Sequence, residues 1–284
     1  MISRIIIVLF AVCLFPLSAN AQYVQSNVID DVLYFVVKNE VTESIRIKDA
    51  QILASNKVRE VLISNDSKKP IGKLLINNFG YTEDFYTYND TSGMIEVHWR
   101  FGYDVNNNMT SASLRKGRQR INYILSYENN QLASIHKDSA GVEGRYDFTY
   151  TDGIIYKITV LNFTVDTSTT NYYLNYDDKK RPVSIFIKIG DGSRNEILSE
   201  IIYQNSTVHI HNLSLPDIAY DFQNERISNY TTTIVYDNPA SAIVRKEKTE
   251  YEYFYSDNGL IKSIEVKFPN GKQIYTEHYE YTFR

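Results

Sequence analysis

His209-x-His211 places two imidazoles on one face of an extended strand, a spacing that some zinc sites use. No third ligand lies nearby in sequence, and a solvated strand face accounts for the pair without a metal. No cofactor is expected. Carboxylates are plentiful, and Asp84, Asp90, Asp147, Asp152, Asp177 and Asp257 fall near expected strand ends and turns. An enzyme built on them would need at least two acids in one concave pocket, with one pKa raised by burial. Turn chemistry explains all six, because Asp side chains bond to the backbone two residues on. The sequence contains no serine nucleophile elbow, no His-Glu-x-x-His and no phosphate-cradling glycine loop. The reading is of a protein that is not an enzyme. Aromatic rings are the chemistry that remains, with 24 Tyr, 13 Phe and one Trp. Sugars stack on exposed rings. Tyr86, Tyr88, Trp99, Tyr172 and Tyr173 are therefore the candidate binding residues for a glycan, should a concave sheet present them together.

These residues sit on what read as strands. In "YEYFYSDNGLIKSIEVKF", Tyr251, Tyr253 and Tyr255 share one face of an extended chain. Asp257-Asn258-Gly259 supplies residues that tolerate the positive φ of a tight turn. Leu260, Ile264, Val266 and Phe268 then line one face of the return strand. The phrase recurs upstream, as in "YILSYENNQLASIHK" from Tyr123 and "YDFTYTDGIIYKITV" from Tyr146. Pre-turn aromatics fall at Tyr88, Tyr127, Tyr150, Tyr176, Tyr203, Phe222 and Tyr255.

The pattern of Tyr-x-Tyr, a turn with Asn, Asp or Gly, and an aliphatic run resembles the YD repeats of the RHS family. The resemblance extends over about 57–284 and is nearest in "YSDNGLIKSI", where Leu260 stands at the usual Arg position. It implies repeated antiparallel hairpins and a bacterial secreted protein. Large RHS proteins resemble shells around a toxin. This chain looks too short for a shell, so that function is not carried over.

Residues 1–21 read as a secretory signal peptide: Arg4 gives a positive start, Ile5 to Leu17 an apolar core, and Ala19-Asn20-Ala21 a cleavage site. A lipoprotein signal is the competing reading of Cys13, but Val12 before it and Leu14-Phe15 after it lack the small residue and polar tether required. Cys13 is the only cysteine, so the mature chain has no disulfide or thiolate site. Localisation is expected in the periplasm, at the cell surface or outside the cell. No later segment is apolar enough for a membrane span. The formal charge of −4 and pI near 5.8 oppose nucleic-acid binding. Arg115, Lys116, Arg118 and Arg120 form a local basic exception, read as a solvated loop entering a strand.

The expected fold is all-β, with antiparallel hairpin repeats forming a long curved or partly closed meander of roughly fifteen strands, more than an open twisted sheet tolerates. Residues 22–56 form an N-terminal segment, helix or hairpin, and 57–284 the repeat domain. The helix reading covers "TESIRIKDAQILAS", with Ile47, Ala50, Leu53 and Ala54 inward and Asp49 on the opposite side. The expected inner face carries Ile95, Val97, Trp99, Phe101, Ile154, Tyr156, Ile158 and Val160. Glu96, His98, Arg100, Lys157 and Thr159 are expected outside. Ile274 to Arg284 reads as an exposed edge guarded by Glu277, Glu280 and Arg284. Such a frame suits a binding or scaffold module of a bacterial envelope or exterior, with a protein or glycan partner; the oligomeric state is left open.

Overall fold

The computed structural model describes residues 48–284 except 90, 140–141, 164–167, 190–191, 193, 213–216, 224–225, 239–242 and 269–273. The expected signal peptide lies outside the described residues. A short helix, α1, covers 48–55. The first six strands are β1 (Val58–Ser64), β2 (Pro70–Ile76), β3 (Thr82–Tyr88), β4 (Ile95–Tyr103), β5 (Met109–Lys116) and β6 (Gln119–Glu128). The next six are β7 (Gln131–Ser139), β8 (Val142–Thr151), β9 (Ile154–Phe163), β10 (Ser168–Tyr176), β11 (Pro182–Ile189) and β12 (Arg194–Gln204). The last six are β13 (Thr207–Asn212), β14 (Asp217–Gln223), β15 (Arg226–Asn238), β16 (Ile243–Tyr255), β17 (Ile261–Lys267) and β18 (Ile274–Phe283).

Every strand pairs antiparallel with its sequence neighbours, and β1 also pairs with β18, closing the 18-stranded sheet into a barrel. The all-β antiparallel meander is as expected, and the expectation of a curved or partly closed sheet is corrected to a closed one. Val61 lies opposite Tyr281 and Ile63 opposite Tyr279, so the terminal strand is a seam rather than an edge. Closure removes the unpaired N–H and C=O groups that an edge would expose.

The period of two then sorts side chains into two environments. Phe85, Leu125, Tyr146, Ile158, Tyr172, Ile185, Ile210, Tyr220, Tyr230, Tyr251 and Ile264 belong to one continuous buried cluster that fills the ring. The opposite parity carries charge, with Lys73 bonded to Glu60, Arg145 to Asp147, and Lys267 to Glu252. A lipid-spanning barrel has the reverse arrangement, apolar outside.

Val97, Phe101, Ile158 and Val160 are inside as expected, and Trp99 packs half-buried against the core. Ile95, 56 % exposed, and Tyr156, 38 % exposed, are not inside. The pairing register shifts at Thr87/Tyr88 and at Thr149/Tyr150, next to these two residues. A bulge inserts one residue and flips the alternation, so Ile155 is buried where a regular strand would bury its neighbours.

Candidate ligand-binding end of the barrel

Even-numbered strands run toward one end of the barrel, and the turns after β2, β4 and β10 are built alike. Asn77 Oδ1 accepts from Phe79 N at 2.9 Å and Tyr81 N at 3.0 Å. Asp104 Oδ1 accepts from Asn106 N and Asn108 N, both at 2.8 Å, and Asp177 Oδ1 from Lys179 N at 3.0 Å and Arg181 N at 2.8 Å. These backbone donors, the Arg181 amide foremost, hold the Asp177 carboxyl below the usual carboxylate range. Asp177 is thus a turn device. Of the other acids singled out in the sequence, Asp84 bonds His98 at 2.7 Å, Asp147 bonds Arg145 at 2.8 Å, Asp152 occupies a turn at φ 51°, Asp257 also lies in a turn, and Asp90 is outside the described residues.

A tyrosine stands just before most of these turns, and its hydroxyl donates to a carbonyl at the start of the preceding strand. Tyr103 reaches Thr82 O at 2.7 Å, Tyr127 reaches Met109 O at 2.8 Å, and Tyr150 reaches Leu132 O at 2.9 Å. Tyr203 reaches Pro182 O at 3.1 Å, Tyr255 reaches Ile227 O at 2.7 Å, and Tyr281 reaches Ile261 O at 2.7 Å. The register shifts immediately before Tyr103, Tyr127, Tyr150 and Tyr255. The bulge turns each ring inward over the strand end, where its hydroxyl satisfies a carbonyl the ladder no longer pairs. Tyr88 does not belong to this series, because β3 ends at the opposite end of the barrel.

The α1 helix lies across this end. Ala50 is buried, and its carbonyl oxygen occupies the space that a Cβ on Gly80 would need. Ile52 touches Gly259, and Asn56 bonds Asn258. Asp49 is not on the solvent side. Its carboxylate accepts from Arg226 at 2.8 Å across 177 residues of sequence. Arg226 also donates to Gly259 O and lies 3.7 Å from the centroid of the Tyr255 ring. Burial raises the Asp49 carboxyl despite the opposing attraction of Arg226.

Between helix and barrel is a cavity of about 120 Å³. Ile52 and Leu53 form its roof, Leu74, Ile76 and Leu260 its apolar walls, and Asp49 with Arg226 its polar corner. Tyr255 and Tyr281 also line it, with hydroxyls already committed to backbone carbonyls. The free wall is therefore mainly hydrocarbon.

Behind the cavity-lining Tyr279 lies Glu277, which has no solvent exposure. The expected edge guard faces inward. It accepts from Tyr279 at 3.0 Å and Tyr275 at 3.4 Å, yet desolvation pushes its carboxyl up to about 8. Burial likewise raises Tyr253 and Tyr279 well above the ordinary phenol value.

The five ring residues proposed from sequence are divided between faces. Trp99 and Tyr172 belong to the interior. Tyr86 is outside, stacked on His98 with centroids 4.3 Å apart, and Tyr173 is outside, stacked on Phe186 at 5.5 Å. Tyr88 ends β3, half-buried. His209 and His211 are stacked on the outer face, where His211 bonds Asp217 at 3.3 Å. Among the described residues no group of three or more His, Cys, Asp or Glu is placed to share a metal ion.

No protein-family model matches the sequence, and no curated protein matches it, so the YD-repeat resemblance rests on the sequence phrases alone. Among solved structures, the chain is similar to a porin-like protein from Bacteroides uniformis ATCC 8492, at 13 % identity and TM-score 0.38, over 80 % of this chain and 97 % of that one. A porin-like protein from Bacteroides vulgatus ATCC 8482 matches at 9 % identity and TM-score 0.29, over 79 % and 98 %. TcdB2-TccC3-TEV matches at 10 % identity and TM-score 0.28, over 78 % of this chain and 16 % of that chain. At these TM-scores the likenesses assign no function.

Proposed function

We propose that this chain is an exported, non-enzymatic binding module of a bacterial envelope or exterior. It works as a water-exposed barrel and holds a small apolar group under α1. The observation that carries this reading is the cavity, lined mainly by hydrocarbon, whose Tyr255, Tyr279 and Tyr281 hydroxyls and Asp49 carboxylate are already bonded within the protein. An apolar cavity of about 150 Å³ takes up benzene, and this one, at about 120 Å³, is close to that size. The outward charges support operation in water, and the leader read at 1–21 supports export.

The test is a thermal-shift and NMR titration of the mature chain with benzene and with short aliphatic alcohols. Saturable binding that raises Tm, and that Leu53→Trp abolishes by filling the cavity, supports the reading. Absence of saturable binding to the unaltered chain overturns it. Detergent phase partition tests the water-exposed barrel separately: the folded chain is expected in the aqueous phase, and partition into detergent refutes that part.

A further inference from the structure

The opposite end of the barrel differs in chemistry. There β3 passes into β4 through 89–94, and β5 into β6 through Gly117 and Arg118, where Gly117 takes φ 57°. Register places Lys116 beside Val97, and His98, Arg115 and Arg120 in one row across β4, β5 and β6. Neighbouring strands are roughly 4.8 Å apart, so His98, Arg115 and Arg120 form one outward patch, while Lys116 has the inward parity of Val97 at the rim of the same hairpin. Arg115, Arg118 and Arg120 make no ion pair among the described residues, and Arg100, with its side chain 74 % exposed and 4.0 Å from Asp84, stands one row away. Like charges opposite one another are unfavourable, yet the only acid on the adjoining face of β4 is Glu96. Asp138 on β7 and Glu143 on β8 bound the patch.

A second observation joins the first. Met94 is 69 % exposed and Ile95 56 % exposed, at the tip next to the basic hairpin. Apolar side chains at a turn tip need no exposure for the fold. Beside unpaired cations they match a surface that is anionic at its face and hydrocarbon just beneath.

We propose that the β3–β4 and β5–β6 tips dock this barrel on an anionic lipid surface. Arg115, Arg118 and Arg120 meet lipid phosphates, and Met94 and Ile95 enter the boundary between headgroups and acyl chains. Contact at one end leaves the charged barrel wall in water. The docking goes beyond the cavity reading and uses the other end of the molecule, so each can fail without the other.

The experiment is co-sedimentation of the mature chain with vesicles of phosphatidylglycerol and phosphatidylethanolamine, and with vesicles of phosphatidylcholine alone. Sedimentation is expected with the anionic vesicles only, and is lost as salt is raised. Arg115→Glu with Arg118→Glu lowers the partition coefficient roughly thirtyfold or more. Met94→Ser with Ile95→Ser weakens vesicle binding but leaves retention on immobilised heparin unchanged. Far-UV ellipticity and Tm confirm that each variant is folded. The proposal is overturned if the unaltered chain stays in the supernatant with anionic vesicles, or if binding survives the charge reversal. It is also overturned if the serine variants bind vesicles as strongly as the unaltered chain, which marks a site for a soluble polyanion.

Discussion

The two ends of this barrel are made from the same hairpins and differ in what they do with polar groups. At the capped end, tyrosine hydroxyls close strand ends, Asn and Asp side chains close turns, and α1 brings Asp49 to Arg226. At the other end Asn65 and Asn89 also close turns, but no tyrosine of the latch series is found there, and Arg115, Arg118 and Arg120 make no ion pair among the described residues. The contrast teaches that polar groups used to hold a fold can be told from those left available by asking which already have a partner inside the chain. A residue's type does not decide this: Tyr281 is a latch, while Tyr86 is a surface ring stacked on a histidine.

The largest expected effect that sharpens this comparison is a pH dependence at the capped end. Glu277 has a raised folded-state pKa, so the fold favours its protonated form. Its contribution is fully present below the unfolded value of 4.5 and is lost as pH rises toward about 8. Linkage puts the full loss at up to about 5 kcal/mol. Urea denaturation from pH 4.5 to 8.5 should show it, and Glu277→Gln should remove most of the slope. A slope unchanged in that variant assigns the titration elsewhere.

Next in size is a paired glycine substitution. Gly80, at φ 84°, has the Ala50 carbonyl where a Cβ would go, so Gly80→Ala is expected to cost about 3 kcal/mol through strain and displacement of α1. Gly117→Ala, at φ 57° with open space around it, should cost only about 1 kcal/mol. Equal losses in chemical denaturation would erase the distinction between the ends. Arg226→Met follows at about 2 kcal/mol, since it leaves Asp49 without its partner and removes the cation over Tyr255. That loss should be read as lowered hydrogen-exchange protection in α1. The smallest effect is one latch: Tyr127→Phe or Tyr150→Phe should cost about 1 kcal/mol by Tm, whereas Tyr88→Phe at the other end should change stability by less than about 0.5 kcal/mol.

The hairpins were legible because alternation and Asn, Asp or Gly turns are local signals. Tyr127, Tyr150, Tyr203 and Tyr255 were recognised as pre-turn residues, and each proves to be a latch. Tyr103 and Tyr281 were missed and Tyr88 was included, since alternation identifies a face of a strand but not an end of the barrel. Glu277 was misread although a signal existed: it shares the parity of Tyr275 and Tyr279, which put it inside with them. Bulges hid the inner face at Ile95 and Tyr156, because the extra residue, Glu96 on β4 and Tyr156 on β9, shifts the parity of the strand start against the rest of the strand. Closure and the Asp49–Arg226 contact were illegible because both join residues far apart in sequence. No local pattern records which strand meets β1.

The seam has a temporal meaning. Apart from the pairing of Val58 with Phe283 and its neighbours, each strand pairs with the strands next to it in the chain. Hairpins with such local contacts can zip in sequence and rapidly, while joining β1 to β18 requires closing the whole loop in one step. The docking of β18 is therefore the step that completes the ring, and until it docks β1 is paired on one side only, by β2.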